Sequence, residues 1–504
     1  MKRFTTTFIL SFIFYVLSAQ LSDKLWLGGY DEFPGVPGYG QFILKFSGNT
    51  SQVQQLPLAF NFESTEAVAA TPDGQLLFYS NGCEVANRLH EVMPNGQGLN
   101  PGGLSDQVCP WKGYIVPQGA TALPMPGDST RFYLIHMGAV YEPQRKLRLG
   151  PLYYSIIDMT QQNGLGDVAS KNNVLLEGDL GNFTAVRHGN GRDWWILIPE
   201  FGNYKWHVFL LSPQGIEPIP IQITSIGGLL CEHHGATAMS PDGNKVANWG
   251  DCKLTIFDFD RCSGQLSAPL EVAAAPAHWF AGGGLAFSPN ARFLYSTDHN
   301  VLYRTDLESS HPKMDTMRFS YGVGNYTVPG NTFHSLVNGP SDAIYGNIPS
   351  RAKYYHTLKS PDEISIDDIN FVPQDISLPV TNVRTLPHFP NYRLYDLPDS
   401  DCDTLGINGP TSHIQAPLVL KGQKAIVRLF PNPANDILSI QTEMLALPAQ
   451  AIIWDALGRQ VLSQPLYAAA TTLSIRQLPD GLYLVSVMDK TGRRVLRKLI
   501  VQQD

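Results

Sequence analysis

The sequence predicts an all-β chain: a roughly seven-bladed β-propeller (WD40/YVTN-like) over 20–402, a linker over 403–424 and a small β-sandwich over 425–504. Three observations carry that reading. One hairpin pattern recurs about every 50 residues, the spacing of propeller blades. Turn formers are abundant, with 45 Gly and 37 Pro in 504 residues, and no long amphipathic helical period interrupts them. Beyond residue 425 the rhythm changes and a separate compact unit begins.

The hairpin pattern is a small or apolar strand, a Pro/Asp/Gly/Asn turn and a strand rich in Tyr, Phe and Trp. It reads AVAATPDGQLLFYS at 67–80, GATAMSPDGNKVANW at 235–249 and GGLAFSPNARFLYS at 283–296. Weaker copies are TALPMPGDSTRFYLIH at 121–136, TAVRHGNGRDWWILIP at 184–199 and HSLVNGPSDAIYGN at 334–347. Pro presets φ at each turn, and Gly or Asn accepts positive φ. KLWLGG at 24–29 and QFILKF at 41–46 add an N-terminal blade, while LTIFDFD at 254–260 and VLYRTDL at 301–307 read as outer strands. A single blade cannot bury both faces, so the blades must stack in a ring.

Composition agrees with a folded, exported chain. Hydrophobic residues make 43% and charged residues 16%, fewer charges than the roughly 25% of average soluble domains. A formal charge of -8 provides no basic field for nucleic acid. Lys2 and Arg3 precede an apolar run from Phe8 to Leu17, and Ser18 and Ala19 are small residues before a cut near Gln20. This is the pattern of a signal peptide over 1–19, and the run is shorter than the ~20 residues a membrane span needs. No stable transmembrane segment is expected after its removal. Six cysteines suit an oxidising compartment. Cys83 and Cys109 flank one segment and are the preferred pair. Cys252 and Cys262 flank the strand KLTIFDFD, and Cys231 and Cys402 are left over. Six cysteines allow fifteen pairings, so connectivity stays open.

The C-terminal unit carries four motifs in order: LFPNPANDILSIQ at 429–441, AIIWDALGRQV at 451–461, LPDGLYLV at 478–485 and a basic last strand ending KLIV at 498–501. It resembles the type A sorting domain of the type IX secretion system of Bacteroidetes. The motif residues Pro431, Asn432, Pro433, Gly458, Arg459, Gly481 and Tyr483 carry the likeness. The resemblance implies a β-sandwich read by the type IX secretion machinery, and delivery through the periplasm to the outer cell surface or the medium. Segments 81–102, 189–200, 256–267 and 386–407 resemble stretches of uncharacterised propeller-containing surface proteins of Bacteroidetes. That likeness supports the propeller and implies no activity.

Candidate chemistry is sparse. Cys231, His233 and His234 in CEHHG are weak candidate metal ligands, since a metal needs further donors that nothing nearby supplies. His136, His188, His278, His299 and His334 lie near strand ends, where a channel mouth could gather them. Asp193, Asp258, Asp260 and Asp298 are candidate carboxylates for glycoside chemistry, although Asp258 and Asp260 share one face of one strand. Trp194, Trp195, Trp206, Trp249 and Trp279 suit either sugar stacking or inter-blade packing, and packing is favoured. No nucleophile elbow, phosphate loop, zinc-protease motif or dinucleotide fingerprint occurs, and no cofactor is expected. The residues therefore favour a non-catalytic module binding a surface protein or glycan. The alternatives are a glycan hydrolase or lyase using the channel mouth, or a structural component of the surface or gliding apparatus.

Overall fold

The computed structural model describes residues 23–502 except 32–35, 49, 143–146, 204, 225–234, 250–252, 274–282, 299–300, 318–319, 324–325, 330–333, 349–350, 406–425, 444, 446, 456–458 and 490–493. The expected signal peptide at 1–19, nearly all of the expected linker at 403–424, Cys231, His233, His234, Cys252, His278, Trp279, His299 and Gly458 fall outside the described residues. The chain divides into two compact units, Met1–Pro410 and Thr411–Asp504.

Among the described residues of the first unit, seven antiparallel sheets follow one another in chain order: 25–55, 67–97, 120–176, 184–223, 236–273, 285–317 and 336–382. These are blades 1 to 7. A short hairpin, Ser320–Val323 with Tyr326–Pro329, lies between blades 6 and 7 in sequence. The six hairpin copies found in the sequence are the first two strands of blades 2 to 7. LTIFDFD and VLYRTDL hold the third position rather than the outermost, because Leu266–Ala273 and Met314–Met317 pair outside them.

The turn motif works the same way in blades 2, 5 and 6. Thr71, Ser240 and Ser288 each precede Pro, and each hydroxyl accepts the backbone N–H of Gln75 (2.9 Å), Lys245 (2.9 Å) and Phe293 (3.0 Å). The side chain thereby satisfies a donor at the start of the returning strand. The chain reverses through a left-handed residue, Gly74 (φ 84°), Gly243 (φ 75°) or Ala291 (φ 60°).

Seven hydrophobic clusters lie at the seven joints between blades. Ile135 and Leu152 of blade 3 pack on Trp194 and Ile196 of blade 4. Trp195 and Val208 of blade 4 pack on Val246 and Phe257 of blade 5. Tyr345 and Ile376 of blade 7 pack on Trp26 and Phe42 of blade 1, which closes the ring. Each blade is thus apolar on both faces, as a sheet covered on both sides must be.

The second unit is a β-sandwich. One sheet runs Ile426–Phe430, Ile437–Glu443, Ala470–Ser474. The other has the order Gln460–Leu466, Ala449–Trp454, Gly481–Asp489, Arg494–Val501. Leu438, Ile440, Ile453, Val485, Val487 and Leu499 fill the space between them.

Candidate functional site

Blade 1 has three strands. Its last strand leads directly to the inner strand of blade 2, so its three strands hold the second to fourth positions. The inner place is left to the segment that follows the outermost strand of blade 7, residues 383–393. Leu386 packs with Trp26 and Phe42, and Phe389 lies against the Leu25 and Leu27 cluster. Pro387 and Pro390 fix their own φ and bias Leu386 and Phe389 toward extended backbone, so this stretch is a stiff rod with few donors.

Instead of completing the sheet, the rod crosses the central channel. At its start, Arg384 pairs with buried Glu63 at 2.6 Å, and Thr385 donates to the Glu63 carbonyl at 3.3 Å. Midway, Thr121 of blade 3 donates to the His388 carbonyl at 2.9 Å, and Tyr392 donates its buried hydroxyl to the Ala122 carbonyl at 2.6 Å. Tyr392 meets the Trp194 ring edge-on at 5.8 Å. Toward the far end, Asn391 donates to the Pro241 carbonyl of blade 5 at 2.8 Å, and Leu397 N–H donates to the Gly189 carbonyl of blade 4 at 2.8 Å. Arg393 pairs with Asp23.

Arg261 locks the exit. It is buried, and it donates to the carbonyls of Arg187 (2.8 Å), His188 (3.4 Å) and Tyr395. Burial pulls the Arg261 pKa down to about 10. The segment ends at Cys402, bonded to Cys262 in the turn after the third strand of blade 5. The second disulfide joins Cys83 and Cys109. Cys262 therefore pairs with the end of the rod, beside Gly189 of blade 4.

Beside the rod a cavity of about 620 Å³ remains, lined by Asn182, Thr184, Thr237, Ser240, His334 and Ser335 among others. Its described histidines are His334 and His388. Burial pushes His388 down to about 4, which keeps the ring neutral. His334 has Nδ1 2.9 Å from the Ser335 hydroxyl.

Among the described side chains, the other candidate residues do not gather at the channel. His136 is buried within blade 3 between Asn100 Oδ1 (2.7 Å) and Ser155 Oγ (2.9 Å), and burial pushes it down to about 3. His188 accepts from Asn190 N–H at 2.9 Å and places Nε2 3.1 Å from the Cys262 carbonyl. It knots a turn, and burial lowers its pKa. Asp193 in the same turn is held by Arg192 at 2.7 Å and Asn190 at 2.8 Å. Asp258 pairs with Lys245, and Asp260 caps its turn through Cys262 N–H and the Ser263 hydroxyl. Trp194, Trp195, Trp206 and Trp249 are all buried, with Trp195 donating to Arg261 O at 2.7 Å and Trp249 to Thr297 O at 2.9 Å. Among the described residues no group of three or more His, Cys, Asp or Glu is placed to hold a metal ion. Sequence reasoning missed the rod. Its only local signal is the pair of prolines in LPHFPNY.

In the sandwich, the motif residues fasten the last strand. Asn432 mimics a strand edge: its amide donates to Lys498 O at 2.9 Å and its oxygen accepts from Ile500 N–H at 2.8 Å. Ala434 adds the next two bonds, its N–H to Ile500 O (2.8 Å) and its carbonyl to Gln502 N–H (2.9 Å). Arg459 and Asp455 staple their hairpin through Arg459 N–H at 2.9 Å and Nε at 2.7 Å. The Tyr483 hydroxyl donates to Pro479 O at 2.7 Å.

These features define an exported β-propeller with a C-terminal sorting domain. Residues 428–502 match the family described as Secretion system C-terminal sorting domain, and the chain is a type IX secretion cargo delivered to the cell surface or the extracellular space. No curated protein matches the chain. Many solved structures are similar, among them the following three. A candidate 6-phosphogluconolactonase of Bacteroides uniformis is 13% identical over 71% of this chain and 98% of its own, with a TM-score of 0.42. A second from Bacteroides fragilis is 10% identical over 72% and 96%, with a TM-score of 0.43. PorZ of Porphyromonas gingivalis, an essential surface component of the type IX secretion system, is 15% identical over 92% of this chain and 63% of its own, with a TM-score of 0.34. At such TM-scores none of the three bears on activity. Among the described residues no helix is long and apolar enough to cross a membrane.

Proposed function

We propose that the propeller is a non-catalytic module that binds a surface protein or glycan after export. The observation that carries the reading is the threaded channel. The path through the ring, where a propeller enzyme would gather its acids and bases, is taken by residues 384–397, tied to Glu63 ahead of blade 2 and to blades 3, 4 and 5. The polar groups that reach the rod are spent on holding it. The remaining cavity is lined more by apolar than by polar surface, with Asn182, Thr184, Thr237 and Ser240 among its polar groups, a lining that suits recognition by shape and a few hydrogen bonds.

The test is retention of glycans and surface-extract proteins on immobilised full-length chain, with each ligand weighed by mass spectrometry before and after. Retention of an intact ligand supports the module. Time-dependent cleavage products proportional to the amount of chain would replace it with an enzyme.

A further inference from the structure

One strand of the sorting unit is apolar on both sides. In Gly481–Asp489, Tyr483, Val485 and Val487 point into the sandwich and are buried. The alternate side chains Leu482, Leu484 and Met488 point outward, as do Leu496 and Ile500 on the last strand, and all five are 38% to 48% exposed. Register makes them neighbours: Leu482 stands opposite Ile500, Ser486 opposite Leu496 and Leu484 opposite Lys498. On the adjoining strand, half-buried Trp454 stands opposite Leu484 and Ile452 opposite Ser486. The Trp454 indole N–H is buried with no hydrogen-bond partner.

A sandwich sheet that faces water alternates apolar-in with polar-out. The opposite sheet of this unit does so over most of its face, showing Arg428, Ser439, Gln441, Thr472 and Ser474 outward and two large apolar exceptions, Phe430 and Ile437. The last-strand sheet breaks the rule, and contiguous exposed apolar surface marks an interaction site. We propose that this outward face is the surface that the type IX secretion machinery reads, and that its partner there is an apolar face with acidic residues at the rim.

Three features favour that occupant. The unit is a sorting domain, so a reader must bind it. The motif residues converge on this sheet: Asn432 and Ala434 fasten its edge strand, Asp455 and Arg459 staple the hairpin beside Trp454, and Gly481 and Tyr483 open the doubly apolar strand. Lys498 is exposed within the stripe, opposite Leu484, which suits a partner of opposite charge.

The experiment uses the full chain in a secreting host. Leu484→Asp with Leu496→Asp should cut surface-delivered protein at least tenfold, with accumulation in the periplasm. Ser439→Asp with Thr472→Asp on the opposite sheet should change it less than twofold. An unchanged melting temperature of the purified variants separates recognition from folding. A photo-crosslinker at Leu484 in an otherwise native chain gives a second readout, independent of the aspartates, and should capture a component of the secretion machinery identified by mass spectrometry. Normal delivery of the Leu484/Leu496 variant would overturn the proposal. So would a crosslink confined to a second copy of the chain or to residues 406–425 of the same chain.

Discussion

Cys402 is bonded to Cys262, 140 residues earlier, and the bond anchors the far end of the rod that threads the propeller channel. The rod begins at the ring-closing blade, where Arg384 holds Glu63. It is therefore fixed at both ends, and opening the channel requires breaking one of them.

Cys402→Ser should lower stability by about 2–5 kcal/mol, because the bond removes the closure entropy of a long loop from the unfolded chain. Denaturant unfolding under non-reducing conditions checks this. Limited proteolysis of the variant should cut first within 384–402. Unchanged stability and no new cut there would show that the bond does not anchor the rod.

Ala291→Gly should raise stability by about 1 kcal/mol. Ala291 sits at φ 60° where blades 2 and 5 place Gly74 and Gly243, and a left-handed residue with a Cβ costs roughly 1–2 kcal/mol. A fall in melting temperature would contradict the shared turn geometry.

Stability should decline as pH falls from 6.5 toward 4. Burial holds His388 and His356 down to about 4, against an ordinary value of 6.5. Between those values the unfolded chain binds more protons, so the contribution is full above 6.5 and lost as pH falls through 4. Glu66, pushed well up by burial, has the opposite sign and loses its contribution as pH rises. His388→Gln should flatten the acid limb of the stability curve; an unchanged slope would remove His388 from the account.

Asn432→Ala should destabilise the sorting unit by about 1–2 kcal/mol, since it leaves Lys498 O and Ile500 N–H without their partner. Surface delivery should fall with it. Wild-type stability of the variant unit would mean that the motif asparagine is not a fastener for the last strand.

The blades were legible because each is a local event. A hydroxyl, a proline and a left-handed residue within five positions make the turn, and the aromatic strand after it supplies the joint. The sorting unit was legible for the same reason: Asn432 and Arg459 act on backbone that their own hairpins bring close. The rod was not. LPHFPNYRLYDLPDSDC has no period of 2 or 3.6, and its conformation is imposed by Thr121, Ala122, Pro241 and Gly189, far away in sequence. The candidate histidines shared a position along their blades but not across them. His136 faces Asn100 and Ser155 within the sheet stack, while His334 faces the cavity. Strand-end placement alone does not separate those two fates.

The central claim is that the channel is held by the chain itself. Backbone amide exchange of residues 384–397, followed by mass spectrometry on the oxidised full-length protein, tests it most directly. The account predicts that Arg384 and Leu397, whose N–H groups bond to Glu63 O and Gly189 O, exchange as slowly as the inner strands Thr184–Arg187 and Ala236–Met239. Exchange of that segment at the rate of an open loop would contradict it and would return the channel to the list of possible active sites.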